Sequence, residues 1–188
     1  DYRNNKKYGT VQIGGQCWMA ENMNIGSQIP GTKEQSNNDS IEKYCWSNLE
    51  INCDIYGGLY QWGEIVQYLN GASNYRNWNP VPNGNVRGIC PYNWHIPSDN
   101  DWTELIEYLG GNEVAGGKLK ETGIDHWQDP NVGATNESDF TALGGGYRRI
   151  DGGFINRRYS TKFWSSTERD PVTSRYKILY HYDDAVIN

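Results

Sequence analysis

Three kinds of residue in this chain have the types and spacing to do chemistry: histidines, clustered oxygen ligands and cysteines. His95, His126 and His181 are scattered, and none sits in a GxSxG, HExxH, Walker A or dinucleotide-binding fingerprint. Acidic residues are plentiful, but their spacing singles out no pair for glycosidase-type acid–base work. No catalytic residues and no cofactor are therefore expected, and the chain reads as a non-enzyme. Residues 125–139, DHWQDPNVGATNESD, are dense in oxygen ligands, and calcium takes about six to eight of them. No EF-hand spacing organises the segment, so a solvated loop is expected there rather than a calcium site. Asp129, Asn131 and Asp139 are the residues that would hold the ion.

The four cysteines, Cys17, Cys45, Cys53 and Cys90, lack the CxxC spacing of zinc ribbons and thioredoxin-like sites. Disulfides are the better reading and place the chain outside the cytosol, at the cell surface or beyond it. Cys45 and Cys53 bracket the short polar stretch WSNLEIN, where local pairing is sterically feasible, which leaves Cys17 with Cys90. Four cysteines allow three connectivities, and spacing alone does not choose among them.

Charge is unevenly spread. Residues 1–146 carry 9 basic and 18 acidic side chains, whereas residues 147–182 carry 8 basic and 3 acidic. Such an asymmetry points either to an interaction face on the C-terminal part or to neutralisation against the acidic part. The net charge of −6 and the absence of any nucleic-acid motif argue against a nucleic-acid partner.

The elements that must position these residues can be read from periodicity. YGTVQI (8–13) alternates as a strand, Gly14-Gly15 turns the chain, and QCWMAENM continues as a second strand or extended hook. Residues 26–44 and 70–88 read as long polar loops. In GGLYQWGEIVQYL (57–69), Leu59, Trp62, Ile65, Val66 and Leu69 recur at helical spacing and predict an amphipathic helix. Ser98 with Asp101 forms a capping-box-like start for a helix. Trp102, Leu105, Ile106 and Leu109 are its buried stripe, and Gly110-Gly111 ends it. A helical turn follows around 113–120. Beyond 125 come short strands joined by Gly-rich turns, which suggests a β-meander. Helices preceding strands, without a βαβ rhythm, make the class α+β.

At 188 residues the chain fits one domain, 1–188, and its aromatic content replaces aliphatic core. It holds 8 Trp and 14 Tyr but only 3 Phe, beside 22 Gly and 21 Asn. Each buried aromatic removes roughly 150–250 Å² from water, which excludes disorder despite a mean hydropathy of −0.83. No run approaches the roughly 18 apolar residues of a membrane-spanning helix, so membrane insertion is not expected. The chain opens on Asp1 rather than Met, as a mature or excised piece would.

Taken in order, IGGQCWMAENMNIG, YGGLYQWGE, GICPYNWHIPSDNDWTELIEYLG, KLKE, GGGYRRIDGGF and FWSST resemble the Fibrobacter succinogenes major paralogous domain across nearly the whole chain. WHIPSDNDW also resembles a signature of formylglycine-generating-enzyme-like sequences. Both resemblances imply a C-type-lectin-like fold, two helices flanking a small twisted antiparallel sheet with long irregular loops. The formylglycine-generating activity does not carry over, because its reactive cysteines fall late in the chain and none here follows Cys90. The family pattern ends in a cysteine-bearing strand, whereas this chain stops at Asn188. The resemblance thus implies an alternative partner for Cys90, and a sheet edge open to completion by another chain.

Under the resemblance, Trp18, Trp62, Trp94, Trp102 and Trp164 fall in scaffold motifs, and His95 is structural. Trp46, Tyr75, Trp78 and Trp127 lie in loops, where exposed rings would stack on sugars. In C-type-lectin-like folds the last segment supports the binding face, and related folds serve as diversified receptors. Arg157, Arg158, Tyr159, Arg169, Asp170, Arg175, Tyr180, His181 and Tyr182 are then the expected ligand-binding residues, Tyr and Arg being the types that dominate binding hot spots. The function expected is recognition of a surface glycan or protein by an extracellular adhesion or ligand-binding domain. The alternative is a pilin-like subunit that self-associates into a surface filament.

Overall fold

The computed structural model describes residues 1–170 and 173–188, without the side chains of 169–175. The chain opens with a hairpin, β1 (Thr10–Ile13) against β2 (Gln16–Met19), in which Val11 faces Trp18. Gly14 makes the turn at φ 58°, a conformation that glycine adopts without steric cost. In the polar segment that follows, β3 (Ser27–Gln28) and β4 (Glu42–Lys43) form a two-residue parallel pair.

The stretch between Cys45 and Cys53 is not simply a loop. It contains the start of α1 (Glu50–Tyr56), and the Cys45–Cys53 disulfide pins that helix to the preceding turn. The expected Cys17–Cys90 bridge is absent. Cys17 is exposed on β2, and Cys90 is a partly buried thiol whose pKa is pushed up to about 11 by burial.

The helix expected over 57–69 is also cut short. Only α2 (Trp62–Ile65) forms, because Gln67, Tyr68 and Asn70 all adopt left-handed φ values near 50°. Two side-chain bonds to Glu64 hold this turn, with Tyr68 Oη donating to its carboxylate at 3.0 Å and Gln67 Nε2 to its carbonyl at 2.8 Å. The apolar spacing was real, since Trp62, Ile65 and Val66 are buried, but Leu69 is turned out to solvent. By contrast α3 (Asp99–Tyr108) begins as its capping box requires. Ser98 N donates to Asp101 Oδ2 at 2.7 Å, and Asp101 N to Ser98 Oγ at 3.2 Å. The shorter α4 (Asn112–Leu119) follows after Gly110-Gly111.

The C-terminal strands are not a meander. β5 (Gly145–Arg148) pairs antiparallel with β6 (Phe154–Arg157), and β7 (Ser160–Asp170) with β8 (Thr173–Tyr180). The two hairpins lie side by side through a parallel contact of Gly146 with Thr161, in the order β6-β5-β7-β8. Gly146 sits at φ 66°, and a Cβ there would collide with the Ile155 carbonyl, so the contact depends on glycine. The far edge of β8 is partly covered by the chain itself, since Ile187 and Ile178 exchange both backbone hydrogen bonds.

This mixed α+β arrangement encloses two apolar clusters. The first joins the β1–β2 hairpin, α3, α4 and β8 around Trp18, Trp102, Trp127 and Phe140. The second gathers Ile25, Ile65, Ile89 and Ile96 around Trp62 and Trp78, whose rings meet edge to face at 4.8 Å. Trp78 and Trp127, expected in sugar-accessible loops, are therefore core residues, at 5% and 0% exposure. Among the described residues no helix is long and apolar enough to cross a membrane.

Tyr44, 1% exposed, anchors the polar N-terminal loops by donating to the Lys33 carbonyl at 2.7 Å and accepting from Gln35 N at 3.0 Å. Burial raises its phenol to about 12, above the value of 10.0 for a free tyrosine. The folded chain thus keeps this proton where the unfolded chain has released it, so the stabilisation is full below pH 10 and is lost between pH 10 and 12. Unfolding free energies measured across that window should fall more steeply for the wild type than for Tyr44→Phe. Parallel curves would contradict this assignment.

Candidate ligand-binding cleft

Side chains alternate across a strand, and this sorts β7 and β8 into two faces. Thr161 and its register partner Leu179 are buried, and Leu179 and Phe163 pack on the first cluster. Lys162 and Trp164 point the other way, together with Tyr176, the register partner of Trp164. Tyr147 of β5 joins them because Gly146 is aligned with Thr161. These four residues line a cleft of about 1110 Å³ that also reaches Tyr60, Tyr75 and Trp94.

Indole hydrogen bonds hold this wall. Trp164 Nε1 donates to the Tyr60 carbonyl at 2.8 Å, Trp62 Nε1 to the Ser165 carbonyl at 3.3 Å, and Trp102 Nε1 to the Trp164 carbonyl at 3.3 Å. Trp62 of α2 and Trp102 of α3 thereby hold the carbonyls of successive residues of β7, Trp164 ties that strand to Tyr60, and the ring of Trp164 meets that of Tyr176 edge to face at 5.8 Å. Tyr60, Trp94, Tyr147 and Tyr176 remain only half-buried, which leaves aromatic surface facing the cleft.

The charges along the cleft are almost all matched. Glu21 meets Lys6 at 3.7 Å, Asp101 meets His95 at 3.3 Å, and Glu121 meets His126 at 2.8 Å. Asp54 accepts from Asn24 Nδ2 at 3.4 Å, and Arg148 pairs with Glu34 at 3.0 Å. Lys162 differs. Its ammonium lies 4.0 Å from the Tyr147 ring centre and 4.6 Å from that of Tyr176, with no carboxylate partner among the described residues. Burial pulls its pKa below the usual lysine value.

Several of the ligand-binding residues expected from sequence are committed to the fold instead. Arg157 stacks over Trp46 at 4.2 Å and donates to Asn52 Oδ1 at 2.8 Å, so it ties β6 to α1 and covers a ring expected to be free for sugars. Arg158 donates through Nη2 to the carbonyls of Ile124, at 2.7 Å, and Trp127, at 3.2 Å, and pins that loop to the sheet. Tyr159, Tyr180, His181 and Tyr182 do form one group, with Tyr180 stacked on Tyr182 at 5.0 Å and His181 edge-on to Tyr159 at 5.2 Å. None of them lines the cleft. The side chains of Arg169, Asp170 and Arg175 lie outside the described residues.

In the 125–139 loop, Asp129 and Asp139 are exposed, while buried Asn131 spends its amide on the carbonyls of Glu121 and Gly123 at 2.9 and 2.8 Å. Among the described residues there is no group of three or more His, Cys, Asp or Glu that could hold a metal ion. Sequence reasoning missed Tyr60, Tyr147, Lys162 and Tyr176 as a set. The alternation within TKFWSST was the available signal, but it could not say which strands would lie beside β7.

The fold is thus a mixed α+β scaffold with few helices and small sheets, carrying a cleft lined in part by aromatic residues of β5, β7 and β8. The family model of the Fibrobacter succinogenes major domain matches residues 11–184, and the chain belongs to that family. No curated protein and no solved structure gave a significant match.

Proposed function

We propose that the chain is a non-catalytic, extracellular ligand-binding or adhesion domain with a C-type-lectin-like fold, which recognises a surface glycan or protein. The observation that carries this reading is the cleft of about 1110 Å³. It is slightly larger than the roughly 300–1,000 Å³ usual for ligand sites, and aromatic rings share its wall with charged and amide side chains. The Cys45–Cys53 disulfide supports an oxidising compartment. In this reading the binding face lies on β5, β7 and β8, with Lys162, Trp164 and Tyr176 beside Tyr147 in place of the residues expected from sequence. Binding here rests on stacking and hydrogen bonding to a fixed surface, with no bond made or broken.

The test is an array of neutral and acidic saccharides probed with the wild type and with Tyr147→Ala and Tyr176→Ala. Saturable binding by the wild type, lost in both variants while their melting temperatures stay close to wild type, is the expected result. No binding on the array, or undiminished binding by both variants, would overturn the reading. A filament subunit is the second reading, favoured by the aromatic group at Tyr159 and Tyr182, which are 49% and 58% exposed. Sedimentation that shows concentration-dependent association, abolished by Tyr182→Ser, would support it, and a monomer at all concentrations would exclude it.

A further inference from the structure

Lys162 is the one charged group lining the cleft that has no hydrogen-bond or ion-pair partner among the described residues. Two tyrosine rings flank it and strip part of its water, and ring faces attract a cation without supplying a counter-charge. A desolvated ammonium in that position gains most from an anion that enters the cleft and completes its shell. The four carboxylates along the same cleft, Glu21, Asp54, Asp101 and Glu121, limit what kind of anion that is. A peptide with an acid at most positions would face all four and be repelled. A uronic-acid saccharide spaces its acids one to a ring, each among several hydroxyls, and those hydroxyls can donate to carboxylate lone pairs that the internal partners leave free. The apolar face of a pyranose also matches the half-buried rings of Tyr60, Trp94 and Tyr147.

We infer that the cleft takes an acidic saccharide, a uronic-acid-type sugar whose carboxylate seats at Lys162 between Tyr147 and Tyr176. This rests on the binding function proposed above and narrows its ligand class. A neutral sugar would bury the ammonium without a counter-ion. An acidic peptide would satisfy Lys162 at the expense of the four carboxylates.

Calorimetric titration of the whole chain with trigalacturonate, maltotriose and hexaglutamate at low salt tests this directly. Trigalacturonate should bind at least about tenfold more tightly than maltotriose, as a desolvated charge pair allows, and hexaglutamate more weakly than trigalacturonate. Lys162→Met should abolish the preference for the acidic trisaccharide over maltotriose, whereas Lys162→Arg should keep it. Equal affinity of the wild type for the two trisaccharides overturns the inference whatever the variants do, and so does hexaglutamate binding as tightly as trigalacturonate. Retention of the preference in Lys162→Met also overturns it. Maltotriose binding without any preference leaves the binding function standing, while failure of all three probes together with a blank array removes both.

Discussion

Replacing Lys120 by Met should lower the unfolding free energy by about 3–5 kcal/mol, the range seen when one partner of a buried charged contact is deleted. Lys120 is 0% exposed, and its ammonium donates to the carbonyls of Val132 at 2.8 Å, Tyr180 at 2.9 Å and Asp183 at 2.7 Å. Three acceptors match the three N–H donors of an ammonium. Burial works against this charge and lowers the pKa to about 8, while the charges of Asp184 and Asp183 support it. Methionine keeps the length of the side chain and its packing beside Trp127, so the loss isolates the polar contacts. Each buried carbonyl left without a donor costs about 1–3 kcal/mol, and the loop after Asp129, the end of β8 and the C-terminal tail all lose their shared anchor. Urea titrations of the two proteins at pH 7 measure the difference directly. A loss below about 1 kcal/mol would show that water replaces the ammonium and that the lysine is not the anchor.

Trp102→Ala should destabilise the chain by a similar amount, about 3–5 kcal/mol for a large buried aromatic. Trp102 is 2% exposed and sits among Trp18, Phe163 and Phe140, with ring centres at 4.8, 5.7 and 6.2 Å. Its indole N–H also reaches the Trp164 carbonyl of β7. The substitution therefore opens a cavity between α3 and the sheet and leaves a strand carbonyl of the cleft wall without its donor. Near-UV circular dichroism should lose intensity with the drop in stability, because four packed rings share that environment. A stability change under about 1.5 kcal/mol would mean that the neighbouring rings collapse into the gap, which the close packing of protein interiors resists.

The two residues were unequally visible beforehand. Trp102 belongs to a stripe with Leu105, Ile106 and Leu109 at helical spacing, behind a capping box, so local chemistry alone placed it on a buried helix face. The opening strand and the short C-terminal strands were legible for the same reason, as alternation and Gly turns act over a few residues, but the order in which they pair was not. Lys120 carried no such signal. A lysine in KLKE reads as solvent-exposed, and only three carbonyls brought from 12, 60 and 63 residues away make its burial tolerable.

The failed expectations have the same cause. Leu59 to Leu69 has helical spacing, yet two side-chain bonds to Glu64 turn the chain out of the helix at Gln67. Trp78 and Trp127 stand in irregular segments, and loop residues are ordinarily at the surface, but here the loops carry their rings inward. Arg157 and Arg158, expected to bind ligand, are held instead by Asn52, Trp46 and two loop carbonyls.

From the residues alone, the α+β class, the capped α3, the short strands and the steric feasibility of a Cys45–Cys53 pairing could be read. Each is set by interactions between near neighbours or by composition. The tertiary structure decided which residues of the C-terminal strands face outward together. The parallel contact of Gly146 with Thr161 places Tyr147 beside Lys162, and the β7–β8 register places Tyr176 there as well. Strand order and register are set by packing across the whole chain, which no local pattern encodes. That is why the excess of positive charge was visible in the sequence, while the cleft cation without a partner among the described residues was not.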